Sequence, residues 1–350
     1  GLNLRGQSVV VNVVLRQDQS IAVKWEGELI RDMDDGVVSP GGTISFTGNI
    51  GNTQYSAGFS AEDASKGEQS MEKLLAGLER VTVENRFESK EKDERDIEGN
   101  FNIETRFGNT LVNANARVRS EESSDLVESR REPVESSGDR QRFVRGSSDD
   151  TLSLELGADL SVPITKTLTS KAIALFNYSD ADASSFREIF DAGSRVETVS
   201  RAPKSTQKTE SIVRLEFDST YFPAHHLEAN LEGAVNTLEN SLTLLEGDGD
   251  EQSETTLPGA NTEVEEVRGD FEISDSWDLG KFVVDSALAA EVSTITQSGE
   301  GANERSFFFT KPRLFVTYAP SDDRQVRLQI QRTVAQLDFD DFVSSTNFQD

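Results

Sequence analysis

Apolar and polar residues alternate along this chain from one end to the other, in blocks. In TLSLELGADLSVP, Leu152, Leu154, Leu156, Ala158, Leu160 and Val162 share one side, and Ser153, Glu155, Asp159 and Ser161 the other. In HLEANLEGAVN, Leu227, Ala229, Leu231, Gly233 and Val235 oppose Glu228, Asn230, Glu232 and Asn236. In IEGNFNIETRF, Ile97, Phe101, Ile103 and Phe107 oppose Glu98, Asn100, Asn102, Glu104 and Arg106. A period of two is that of an extended strand with unlike faces. The charged face meets water. The apolar face continues from block to block, so something must cover it.

The pattern predicts an opening strand, SVVVNVVLR, and about thirteen more, over 19–31, 42–50, 53–61, 95–107, 110–121, 151–163, 167–180, 208–221, 225–237, 262–276, 281–296, 304–318 and 323–334. Most reach the roughly 9–11 residues that a tilted membrane-crossing strand needs. The connections alternate in length. Gly51–Asn52 and Gly108–Asn109 are two-residue hairpin signals, and PITK, FPAH, DLG and APSDD are also short. The others, such as SEESSDLVESRREPVESSGDRQRFVRGSSDD and ENSLTLLEGDGDEQSETTLPGAN, are long and mostly acidic or Ser-rich. A soluble sandwich has no reason to keep short links at one end and long ones at the other. A transmembrane barrel has one, because it puts short turns on the periplasmic side and long loops outside. Residues 62–95 are assigned to one such outer loop, since strand parity then holds. The fold class expected is therefore all-β, an antiparallel transmembrane β-barrel.

Charge narrows the function. The chain carries 63 acidic and 35 basic residues, a net charge of −28. That excess opposes nucleic-acid binding, which needs Lys and Arg to replace counterions. There is no Cys, so disulfides, thiolate metal sites and a Cys nucleophile are excluded. No apolar stretch approaches the roughly 20 residues of a membrane helix. The two histidines, His225 and His226, stand side by side in a short turn, where alternate facing sends them to opposite faces. As a catalytic base or metal ligand they are weak candidates beside a plain turn pair. With no further His, a Ser-His-Asp site is hard to build, and no enzyme is expected. Asp248 and Asp250 open a stretch like a calcium loop, but Gln252, Ser253 and Gly259 stand at its later key positions, so a solvated acidic loop is the better reading. Aromatic residues near strand ends (Tyr178, Tyr221, Phe222, Trp277, Phe282, Phe308 and Tyr318) suit an interfacial girdle. The run Glu88–Asp96 reads as solvated charge.

Two stretches carry a resemblance to a known family, the TonB-dependent outer-membrane receptors. GLNLRGQSVVVNVVLR resembles the last segment of the plug domain, which passes into the first barrel strand. VRLQIQRTVAQLDFDDF resembles a mid-barrel strand and its loop, through Arg332, Thr333 and Ala335 and then Asp338 and Phe339, with Gln336–Leu337 where the family has Arg-Pro. The resemblance implies a plug inside a barrel of about 22 strands. Residues 1–17 would end the plug, and residues 18–350 would form the N-terminal part of the barrel, an internal segment cut at both ends. It implies import of a scarce ligand (a siderophore, cobalamin, a glycan or a peptide) in the outer membrane of a Gram-negative bacterium. TonB would energise it through a plug segment absent here, with outer-membrane lipid as the other partner, and no cofactor is expected. Leu152, Leu154, Leu156, Leu160, Leu227, Leu231, Val235, Phe101 and Ile103 are then expected to face the membrane. Leu156→Arg or Leu231→Arg should be costly, and Glu155→Arg or Glu232→Arg tolerated. The alternatives are a passive porin-like channel and a soluble secreted β-sandwich or adhesin.

Overall fold

The computed structural model describes residues 21–33, 36–134, 140–193, 195–248, 251–299, 302–321 and 323–334. Within them the chain forms fifteen strands: β1 (Ala22–Arg31), β2 (Val38–Ile50), β3 (Thr53–Ala76), β4 (Val81–Phe107), β5 (Thr110–Pro133), β6 (Gln141–Pro163), β7 (Leu168–Phe190), β8 (Val196–Ser219), β9 (His225–Leu242), β10 (Leu244–Asp248), β11 (Glu251–Thr255), β12 (Asn261–Asp278), β13 (Phe282–Gly299), β14 (Asn303–Ser321) and β15 (Arg324–Gln331). They make one antiparallel sheet in which each strand pairs with its neighbour in sequence. The exception is the β10–β11 hairpin, which leaves the path so that β9 pairs directly with β12. Each end strand of the path, β1 and β15, is paired on one edge among the described residues.

Thirteen of these strands correspond to the thirteen spans expected after the opening run, which itself lies outside the described residues together with the whole of 1–17. The two Gly-Asn turns form as the sequence demands. Gly51 and Gly108 take φ of 59° and 61°, and the pairs Ile50 with Thr53 and Phe107 with Thr110 close them. Gly first with positive φ is the two-residue turn whose twist matches its flanking strands.

The expected long outer loops need correcting. Residues 62–95 are no loop: β3 and β4 run through them as a hairpin that turns at Gly77–Arg80. β5 to β8 likewise extend through most of the polar stretches read as loops. The reason is backbone pairing. Every N–H and C=O in a ladder has a partner, and long ladders with polar side chains on both faces satisfy that rule as well as apolar ones do. Hydropathy cannot show the period there because neither face is apolar. Cross-strand charge supplies the fit instead. Arg95 donates to Asp63 at 2.9 Å across β3–β4 and lies 3.5 Å from Glu122 on β5, and Lys90 lies 3.1 Å from Asp125. The Asp63 carboxylate, through its hydrogen bond and its charge, holds the Arg95 guanidinium pKa above its ordinary value. β4 is 27 residues long, about 90 Å at 3.3 Å per residue, far more than a bilayer needs.

The calcium-like stretch is corrected too. Leu244–Asp248 and Glu251–Thr255 pair as the β10–β11 hairpin, and Asp250 lies outside the described residues. β10 also pairs with β8, continuing past the end of β9 after Thr243, whose N–H donates to the Pro203 carbonyl. Leu242, Leu244, Ala202 and Ala260 bury one another at this corner.

The two faces of the sheet are inverted with respect to a soluble protein. Apolar residues sit in continuous rows. Phe101 faces Ala116, then Leu156, then Phe176; farther on Leu215 faces Leu231, then Phe271, then Ala290. These rows are exposed: Leu231 at 54 %, Phe271 at 47 % and Leu288 at 54 %. The opposite face is occluded and mixed: Arg268 is 8 % exposed, Glu291 9 % and Ser274 2 %, and Leu238 and Val264 are fully buried beside them. An exposed apolar belt around an occluded polar interior is the arrangement of an outer-membrane β-barrel. On β6 the belt runs from Leu152 to Val162, about 33 Å along the strand. A tilt near 40° brings that to about 25 Å of height, the usual thickness of such a belt.

Candidate functional site

The site is built on the polar face where β8, β9, β12, β13 and β14 cross the belt. Strand register sets the spacing. Reading straight across the ladder, Asp159 is followed by Ile173, Arg214, Glu232, Asp270 and Glu291. Three carboxylates, Glu232, Asp270 and Glu291, therefore stand side by side on adjacent strands. Like charges directly opposite destabilise a sheet unless cations intervene. Here they do. Arg214 donates from Nε to Glu232 Oε2 at 2.7 Å. Arg268 donates from Nη2 to Glu232 Oε1 and lies with Nε beside Asp270 Oδ2, both at 3.0 Å. Lys311 bridges Asp270 at 3.0 Å and Glu291 at 2.6 Å. Lower on the same face, Arg313 donates to Glu272 at 3.3 Å.

Above this network Asn236 donates to Glu266 at 3.0 Å, and Ser293 donates to the other oxygen of Glu266 at 2.7 Å. Arg117 extends the pattern toward β4 and β6, donating to Glu98 at 2.8 Å and to Glu155 at 3.4 Å. A cavity of about 700 Å³ opens along the network, lined by Arg214, Glu232, Arg268, Asp270, Lys311 and Arg313 and by the end of β15 at Arg332 and Thr333. The arrangement places paired charges of both signs along one side of the sheet. Among the described residues it gathers no nucleophile with a base.

The predicted residues fall as follows. Leu152, Leu156, Leu160, Phe101, Leu231 and Val235 all lie on the exposed apolar face, and register puts Leu154, Ile103 and Leu227 on that face too. Arg332 prolongs the β15 pairing, with its N–H donated to the Pro312 carbonyl and Nη1 to the Thr310 carbonyl. Thr333 follows it at the cavity rim. Ala335, Asp338 and Phe339 lie outside the described residues. Of the aromatic residues, Tyr221, Phe222, Trp277, Phe282 and Tyr318 gather at the short-turn end. Tyr221 stacks edge-on to Phe222 at 5.1 Å, and Phe282 lies flat on Tyr318 at 4.4 Å. Tyr178 sits at the other margin of the belt beside Leu154, and Phe308 within the belt beside Val292. His225 turns to the apolar side, 2.9 Å from Asp275 and 5.4 Å from the Trp277 ring, while His226 turns to the polar side.

Sequence reasoning missed the ionic network. Arg214, Arg268, Lys311 and their carboxylates look in the sequence like any polar strand positions. The available signal was register, since equal counts back from the short turns put them in neighbouring rows.

No family model and no curated protein matches the chain. Three solved structures are similar in part. The translocator domain of autotransporter NalP from Neisseria meningitidis is 12% identical, covering 81% of this chain and 84% of that one, with a TM-score of 0.30. The P. putida toluene transporter TodX is 8% identical, covering 89% and 81%, with a TM-score of 0.29. The TodX deltaS2S3 mutant, a monoaromatic hydrocarbon channel, is 10% identical, covering 89% and 82%, with a TM-score of 0.29. The barrel character of the sheet rests on its two faces and not on these superpositions. The expectation of TonB-energised import through a plugged barrel is corrected: the structures found are an autotransporter translocator and a hydrocarbon channel.

Proposed function

We propose that this chain forms a passive, water-filled channel in the outer membrane of a Gram-negative bacterium, with a preference for cations. The observation that supports it is the inversion of the faces: the apolar rows meet lipid, and the charged, occluded face lines the lumen. Lipid offers no hydrogen bonds, so charged rows such as Glu232–Asp270–Glu291 are stable only around water. The chain's net charge of −28 sets the sign of the selectivity. Fixed acidic charge raises the local concentration of cations and lowers that of anions. Arg214, Arg268 and Lys311 hold these three carboxylates in place and balance their charge, so the acidic excess on this face comes from neighbours such as Glu210 and Glu266.

Planar-bilayer recording tests it. The purified chain, inserted into a bilayer with a potassium chloride gradient, should give discrete conductance steps and a reversal potential on the cation side. Absence of conductance, or an anion-side reversal potential, sinks the reading.

A further inference from the structure

The short-turn mouth of the polar face carries a second cluster. Asp218 on β8 and Glu228 on β9 are directly opposed in the register, and both point to the polar side. His226, two residues from Glu228, turns to the same side. Its Nε2 lies 2.5 Å from Asp218 Oδ2 and 3.3 Å from Glu228 Oε1. One donor atom from each of the three falls within 4.8 Å of the others. Ser274 on the next strand donates to Glu228 Oε2 at 3.3 Å, while Oε1 is the oxygen that faces His226.

We propose that Asp218, His226 and Glu228 form a binding site for a divalent transition-metal ion such as zinc. Three arguments support it. Two carboxylates placed directly opposite repel each other, and a cation between them relieves that repulsion. One imidazole nitrogen and two carboxylate oxygens are a donor set that zinc accepts, with the remaining position open to water. Donors about 2.0–2.1 Å from a tetrahedral ion lie about 3.3 Å from each other, which is the His226–Glu228 separation. The His226–Asp218 distance has only to open by less than about 1 Å, a side-chain adjustment at a half-exposed carboxylate. Ser274 acts as the outer partner that orients a ligating carboxylate. The ion would sit on the lumen wall at one mouth, where it adds positive charge to an acidic channel. The site does not depend on the channel reading, since binding can be measured without transport.

Zinc titration of the full chain in detergent, followed by calorimetry, tests the site. One saturable zinc per chain is expected. His226→Ala and Asp218→Asn should each weaken it at least about tenfold, and His225→Ala, on the opposite face, should leave it unchanged. Retained β-sheet circular dichroism shows that each variant folds. Copper(II) bound in place of zinc should show coupling to one imidazole nitrogen, lost in His226→Ala. Native protein without a saturable site overturns the proposal. So does diffuse, weak uptake that His226→Ala does not change, which would be surface carboxylates alone.

Discussion

Arg268 donates to Glu232 at 3.0 Å between paired strands, and both side chains are at most 10 % exposed. Two opposite charges this occluded are held by each other. Arg214, on the other side of Glu232, is more open to solvent. Removing one partner takes the nearest countercharge from the other, but Arg268 keeps Asp270 and Glu232 keeps Arg214, so the cost lies at the low end of the roughly 3–5 kcal/mol of a broken occluded pair. Glu232→Ala should therefore lower stability by about 3 kcal/mol, read as a shift in urea unfolding of the folded chain in detergent. Arg268→Ala should cost a similar amount. The double variant should cost less than the sum, because the second removal deletes the stranded charge.

Leu156→Arg and Leu231→Arg place a charge on the exposed apolar rows and should cost about 2–4 kcal/mol or block assembly. Glu155→Arg should be tolerated, since Glu155 is half exposed and only 3.4 Å from one partner, Arg117. Glu232→Arg, which the strand pattern alone marks as tolerable, should not be. It sets a third cation against Arg214 and Arg268 and should cost about 3 kcal/mol or more. Folding yield into lipid vesicles separates the cases; equal yields for Leu156→Arg and Glu155→Arg would defeat the assignment of faces.

Gly108 holds the β4–β5 turn at φ 61°. Gly108→Ala should cost about 1–2 kcal/mol, the penalty of that conformation for a side chain. Asn109→Ala should cost far less, because Asn109 keeps a negative φ. Thermal unfolding of the two variants measures the difference.

The β3–β4 hairpin continues beyond the apolar belt from Asp96 to Val81, its ladder interrupted by one register shift at Leu74–Leu75. Amides there should resist hydrogen exchange as strand amides do, whereas a loop would exchange at once. Mass spectrometry of peptic fragments over 62–95 reads this directly. Protection comparable to that of the Gly77–Arg80 tip would return the segment to a loop.

The sequence by itself determined the all-β class, the short turns and the two faces of each strand inside the belt. Leu152 to Val162 and Leu227 to Val235 alternate because a strand's side chains alternate, and Gly51 and Gly108 announce turns that only glycine makes without strain. These are local properties. Three things were left to the tertiary structure. The polar hairpins of β3 to β8 have no apolar face, so only the pairing of backbone groups across strands shows that they are sheet. Arg332 and Thr333, two of the residues that carried the family resemblance, prolong a strand edge and shape a cavity rim, a placement the motif does not announce. And Arg268 meets Glu232, as His226 meets Asp218, through register, a relation between segments 36 and 8 residues apart in sequence that no single strand encodes. Register is fixed by the turns and the belt together, so the chemistry it assembles appears only when the whole sheet is built.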